Sequence, residues 1–205
     1  MRDSNKTKVI IIIALLISVA GLSFGFAAFT SSLTIKSSAD VTPSNTSFNV
    51  SLSTSNSSLA TGNVTPTVTG GATGSSATLN ASTISGIKAT FTAPGQTVKY
   101  NFYAYNSGSF IAYLNSVSIG SKTCTPGEGT TASYVTSACN GIKISVKVKD
   151  TSFNSSNTNI SSHALAKNSS EVVEVTVSYD TGAAVADGDF SVAFGDTVLT
   201  YGSAD

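Results

Sequence analysis

Apolar side chains recur at every second position through much of this chain. Val173, Val175, Val177 and Tyr179 alternate with Glu174, Thr176 and Ser178, and Ile142, Ile144, Val146 and Val148 alternate with Lys143, Ser145, Lys147 and Lys149. Val98, Tyr100, Phe102 and Ala104 do the same against Lys99, Asn101 and Tyr103, with weaker versions at Phe48, Val50, Leu52 and at Phe190, Val192, Phe194. A period of two gives each segment one wet face and one dry face, the signature of a half-buried strand. No strand buries its dry face alone, so several of them separated by turns imply two sheets packed face to face. Turn chemistry falls where that requires it, at Pro94-Gly95, Asn106-Ser107-Gly108, Asn140-Gly141 and Asp187-Gly188-Asp189. Helical periodicity is nearly absent after Phe29. The expected fold is all-β, a jelly-roll-like antiparallel β-sandwich forming one domain over residues 28–205. Two Ser/Thr/Gly/Asn-rich stretches, 53–82 and 150–162, read as surface excursions, the first either a long loop or weak edge strands.

Ahead of this pattern stands a segment of different physics. Val9 to Phe29 carries no charge, and its first half is as apolar as a membrane span. Such a run enters a bilayer, either as a retained anchor or as a cleavable export helix ending in small residues. Gly25-Phe26-Ala27 places small residues at −3 and −1 before Ala28, which favours residues 1–27 as a signal peptide cut between Ala27 and Ala28. Arg2, Lys6 and Lys8 hold the N-terminus in the cytoplasm, so the rest of the chain lies outside, secreted or at the cell surface. Contact with the membrane is then expected only through residues 9–29 before cleavage.

Composition agrees with an extracellular protein: charged residues are only 11% of the chain and Trp is absent. Lysine plus arginine equals aspartate plus glutamate at 11 each, and losing Arg2, Lys6, Lys8 and Asp3 leaves 8 basic against 10 acidic residues. That balance provides nothing to track a phosphate backbone, so no nucleic-acid partner is expected. Cys124 and Cys139 both lie in the exported part. In an oxidising compartment the pair reads as a disulfide closing a short loop, worth about 3 kcal/mol, with two free thiols as the alternative.

No catalytic constellation is legible, and no enzyme, metal or cofactor is expected. His163 is the only histidine and reads as a surface residue on a loop, without HExxH context or a GxSxG elbow elsewhere to form a triad with it. Asp187, Asp189 and Asp196 offer oxygens for Ca²⁺ but lack EF-hand spacing and read as turn formers. Asn45, Asn49, Asn56, Asn63, Asn80, Asn154, Asn159 and Asn168 each begin an Asn-x-Ser/Thr triplet, a weak signal in so Ser/Thr-rich a chain. Lys36, Lys88 and Lys99 raise isopeptide cross-links as an idea, but solvated strand faces explain them better.

Three parts of the sequence together resemble the TasA/camelysin family of exported, SipW-processed biofilm-matrix fibre proteins. They are the junction Gly25-Phe-Ala-Ala-Phe-Thr30, the start of the mature chain from Ala28 to Leu52, and Ala93-Pro-Gly-Gln-Thr-Val-Lys-Tyr-Asn-Phe-Tyr-Ala-Tyr-Asn-Ser-Gly108 with the following Ser109 to Leu114. The Cys pair and the Ser/Thr-rich insertion at 53–82 depart from the family pattern, and the second half of the chain matches only through its strand pattern. The resemblance implies a jelly-roll subunit of matrix fibres or pilus-like filaments, released by a SipW-type signal peptidase and accompanied by other matrix components. It also implies a head-to-tail homopolymer in which residues 28–38, with Phe29, Leu33 and Ile35 as apolar anchors, donate a strand to the next subunit. The alternatives are that this segment folds back onto its own domain, or links a retained helix to a monomeric, membrane-anchored adhesion or binding module of the same fold. N-terminal sequencing of the extracellular protein is expected to read Ala28 first; a membrane fraction beginning at Met1 would replace secretion with anchoring.

Overall fold

The strands follow the alternation. In chain order they are β1 (Val50–Ser53), β2 (Gly62–Val64), β3 (Thr67–Thr69), β4 (Thr73–Gly74), β5 (Ala77–Asn80), β6 (Thr83–Ser85), β7 (Lys88–Phe91) and β8 (Thr97–Asn106). Then come β9 (Ala112–Ser118), β10 (Lys122–Pro126), helix α1 (Ala132–Cys139), β11 (Ile142–Val148), β12 (Thr151–Phe153), β13 (Ala164–Leu165), β14 (Ser169–Tyr179), β15 (Phe190–Phe194) and β16 (Thr197–Gly202). The structure, a computed structural model, describes residues 49–158, 160 and 163–202. The apolar run 9–29, the Ala27-Ala28 junction, Phe29, Leu33, Ile35 and Phe48 lie outside the described residues. Among the described residues no helix is long and apolar enough to cross a membrane.

One layer is a sheet in the order β1–β8–β14–β11–β12. Its axis is the antiparallel ladder in which Thr97–Asn106 pairs with Ser169–Ser178. The other edge of β8 is shared: β1 lies against Tyr103–Asn106 and β3 against Thr97–Lys99. Between them the chain leaves this sheet to form β2 in the opposite layer. The stretch 53–82 is therefore largely short strands.

The opposite layer is made of two hydrogen-bonded sheets, β10–β15–β7–β4 and β13–β9–β16–β6–β5–β2, that share one register across a break. Lys88 faces Ala193, and Ile84 faces Thr197 four residues further along each chain. Ala193 faces Thr123, and Val198 faces Ser118 five residues on. Gly74 faces Ala89, and Thr78 faces Ser85. The two sheets are thus one layer bent along a line through Ser75-Ser76, Gly86-Ile87, Gly195-Asp196 and Gly120. Glycine is required on that line. Gly86 has φ +76°, and a side chain on Gly120 would occupy the space of the Gly195 peptide.

The layers close on one core. Val98, Tyr100, Phe102 and Ala104 of β8 and Val173, Val175, Val177 and Tyr179 of β14 point inward and are buried. The rings of Tyr179, Phe91 and Phe190 meet across the layers, Tyr179 and Phe190 edge-on at 5.5 Å between centroids. Each large apolar side chain so buried contributes about 1.5–3 kcal/mol, and the wet faces carry Lys99, Asn101, Glu174 and Lys143. The all-β sandwich expected from the alternation is the architecture observed.

Tyr100 reaches the bend, where its hydroxyl lies 3.0 Å from the carbonyl oxygens of both Ser75 and Lys88 and shares its one proton between them. Burial pushes the Tyr100 phenol above its usual value. Thr197, also on the bend, is fully buried, and its Oγ1 has no hydrogen-bond partner among the described residues. An unpaired buried hydroxyl costs about 1–3 kcal/mol. Thr197→Val is accordingly expected to raise the thermal midpoint by about 2–4 °C per kcal/mol regained; a lowered midpoint in a calorimetric melt would show that the hydroxyl is satisfied.

Candidate functional site: an open seam between the layers

β11 pairs with β14 along its whole length, from Ile142 opposite Tyr179 to Val148 opposite Val173. On its other side only Val146–Val148 are paired, with the three residues of β12. Ile142 to Ser145 thus present a strand edge without a neighbouring strand among the described residues. Across from it β9 is covered by β13 at Ala112 and Tyr113, by Asn157 at Val117 and by Ser156 Oγ at the Ile119 N–H, and the second layer opens beyond that, beside β10. The result is a groove along the seam, lined among others by Gly120, Lys122, Ile142, Ile144, Asn154 and Phe194. Ile144 and Ile119 pack on the core from this margin and are only partly buried.

One wall of the groove is braced. Cys124 of β10 and Cys139, the last residue of α1, form the disulfide, their Cα atoms 6.2 Å apart. The Lys122 ammonium donates to the carbonyls of Cys139 at 2.6 Å and Ile142 at 2.8 Å, and partial burial pushes its amine below the usual lysine value. A cation at a helix C-terminus satisfies carbonyls the helix leaves free. Helix α1 needs these attachments, because eight residues are marginal as a helix in water and only Val135 and Ala138 are buried. At its other end the Thr131 N–H donates to Asp187 Oδ1 at 2.9 Å, and hydrogen bonding from the Thr131 side chain first, with its N–H second, holds the Asp187 carboxyl below its usual value. The Asp189 carbonyl accepts from Thr130 Oγ1 and from the Gly127 N–H. Asp187 and Asp189 therefore anchor the segment leading into α1, and among the described residues no group of three or more His, Cys, Asp or Glu comes together.

His163 does not lie exposed on a loop. Its side chain is 12% exposed and its Nε2 meets Glu171 Oε2, while the Tyr201 hydroxyl donates to Glu171 Oε1 at 2.7 Å. Burial, reinforced by the Glu171 charge, drives the Tyr201 phenol far above its usual value. Since β14 and β16 belong to opposite layers, this buried carboxylate ties the layers together at one end of the sandwich. The sequence signal was the parity of β14, for Glu171 occupies the same inward face as Val173, Val175 and Val177.

Two residues of the quoted 93–108 motif also have defined tasks. Gln96 is buried, and its amide oxygen accepts from the N–H groups of Thr92 and Ala93 while its NH₂ donates to the Gly70 carbonyl and Thr92 Oγ1. All four positions of the side-chain amide are used, fixing the Pro94-Gly95 turn to the Gly70-Gly71 turn. Asn106 accepts from the Gly108 N–H and donates to the Phe110 and Leu165 carbonyls. Lys99 pairs with Glu174 at 3.0 Å on the wet face, while Lys36 lies outside the described residues.

No known family model, curated protein or solved structure matches the chain. The disulfide closes a loop of sequence separation 15, and its reduction is expected to lower stability to urea by about 3 kcal/mol. Equal urea midpoints with and without reductant would show that β10 and α1 hold the loop without it.

Proposed function

We propose that the protein is an exported structural subunit of extracellular matrix fibres or pilus-like filaments, with a jelly-roll fold and assembly by donation of its N-terminal strand. The observation that carries this reading is the strand order. Counting from β6/β7, with β1 to β5 as additions at the edges, and taking the bent strands β6/β7, β9/β10 and β15/β16 as single strands, one layer reads first, last, third, then β13, and the other reads second, next-to-last, fourth, then β12. That interleaving of the two chain halves supports reading the sandwich as a jelly roll of two Greek keys. It supports the fold implied by the resemblance of the Gly25 to Thr30 junction and the 93–108 segment to the TasA/camelysin family.

In this reading a SipW-type peptidase cuts between Ala27 and Ala28, and residues 28–38 leave the membrane as a free strand. Phe29, Leu33 and Ile35 then pack in a second copy, other matrix components join the fibre, and no catalytic step is involved. A second reading has one observation in its favour. The Asn49 carbonyl accepts from the N–H and hydroxyl of Ser107, which places the exposed Phe110 and Ile111 beside the point where the chain enters the sandwich. Such a surface suits a module held close to a bilayer by a retained helix.

Electron microscopy of the purified chain beginning at Ala28 separates the two. Filaments, lost when the chain begins after Ser38, are expected. Dispersed monomers at every concentration would favour the anchored module.

A further inference from the structure

We propose that the exported domain carries N-linked glycans at Asn49, Asn56, Asn63, Asn80, Asn154 and Asn168, set along the margins of its two layers. This rests on the export reading above and adds a covalent modification to it. Of the 13 asparagines after Phe29, eight begin an Asn-x-Ser/Thr triplet, where the frequency of Ser and Thr would give about four. The excess is small, but the fold sorts it. Six of the eight fall among the described residues, and all six are exposed. Asn49 precedes β1 and Asn56 follows it, Asn63 is in β2, Asn154 follows β12, and Asn168 lies between β13 and β14. β1, β2, β12 and β13 are the end strands of their sheets. Asn80 closes β5, the neighbour of β2, at the hairpin into β6. The asparagines outside a triplet lie elsewhere. Asn101 and Asn106 are on β8 and Asn115 on β9, both inner strands; Asn140 joins α1 to β11, and Asn157 bridges to Val117.

A bulky sugar stays attached only where the amide nitrogen is free to face solvent in the finished fold. Asn63 commits its Oδ1 alone, which accepts from Thr78 Oγ1 at 3.0 Å, and its Nδ2 has no partner among the described residues. Asn106 shows the opposite arrangement, its Nδ2 spent on the Phe110 and Leu165 carbonyls. The triplet hydroxyls set the timing. Ser156 Oγ accepts from the Ile119 N–H, and Ser170 Oγ donates to the Asn56 carbonyl. In the closed sandwich these hydroxyls are taken, so a transferase must hold them during export, before folding. The co-substrate is an oligosaccharide on a polyprenyl phosphate or pyrophosphate. The bond between sugar C1 and the phosphate oxygen breaks as Nδ2 bonds to C1; the lipid phosphate leaves with the electron pair, and one amide proton passes to a base on the transferase. On the folded domain the glycans flank end strands whose outer N–H and C=O groups are a template for unwanted pairing. Asn154 also lines the groove beside Ile142–Ser145, so its glycan shields the margin that β12 leaves uncovered.

The test takes the full-length protein from the cells that make it, from both the medium and the membrane fraction, and reads its proteolytic peptides by mass spectrometry with electron-transfer fragmentation. A common sugar mass on most of the six asparagines, and none on Asn101, Asn106, Asn115 or Asn140, is expected. Protein found outside the cytoplasm with all six bare would overturn the proposal and leave the export reading standing; protein found only in the cytoplasm would remove both. Replacing Asn63→Gln, Asn80→Gln and Asn154→Gln together, at exposed positions, gives a second reading. The triple variant is expected to run faster on a denaturing gel by the mass of the missing sugars. Unchanged mobility with the sugar mass still present would place the carbohydrate on serine or threonine hydroxyls and overturn the assignment.

Discussion

The ladder between β8 and β14 is the contact on which the rest of the sandwich is hung. It runs from Thr97 opposite Ser178 to Asn106 opposite Ser169 without a shift of register, and both strands send their alternate residues into the core. A slip of one residue would turn Val98, Tyr100, Phe102 and Ala104 outward while Val173, Val175 and Val177 still faced inward, so the buried face locks the register. The apolar layer this creates is ten residue pairs long, and the opposite layer covers it as two hydrogen-bonded sheets joined at a bend. The bend brings Gly120 against Gly195 and puts Gly86 at positive φ, while the Tyr100 hydroxyl reaches the Ser75 and Lys88 carbonyls where β4 and β7 come up to the break.

Polar side chains inside the sandwich act where strands end. Gln96, Asn106 and Glu171 are each buried, and each joins segments that the ladder alone would leave apart. Gln96 binds the turn before β8 to the turn after β3, and Asn106 binds the loop after β8 to β13. Glu171 binds β14 to β16 and His163. Buried polar groups with every partner in place restrict the chain to one arrangement at a modest net gain in stability. The same economy of coverage explains the seam. β12 and β13 are three and two residues long, too short to close the margin beside β11 and β10, so one margin of the sandwich is left with an edge.

The long strands were legible because a half-buried strand must alternate, and Ile142–Val148, Val98–Ala104 and Val173–Tyr179 do so over most of their length. β2 to β5 were not: Thr67–Thr69 is exposed throughout and is held by its neighbours' hydrogen bonds rather than by a dry face, and β5 alternates, with Ala77 and Leu79 buried, over only four residues. α1 escaped for a related reason: Ala-Ser-Tyr-Val-Thr-Ser-Ala-Cys has no apolar stripe, and its place is set by a disulfide, a lysine and an aspartate distant in sequence. Expected surface positions hid His163, whose partner Glu171 is visible only once the parity of β14 is carried one step beyond Val173. The groove was beyond the sequence altogether, since it arises from the shortness of two strands in different layers.

The central claim is that the ladder between β8 and β14 is the contact on which the rest of the sandwich depends. Native-state hydrogen exchange resolved by residue tests it most directly. The account predicts that the Val98, Tyr100, Val173, Val175 and Val177 amides exchange only when the whole domain unfolds. Exchange of these amides while the opposite layer is still protected would contradict it.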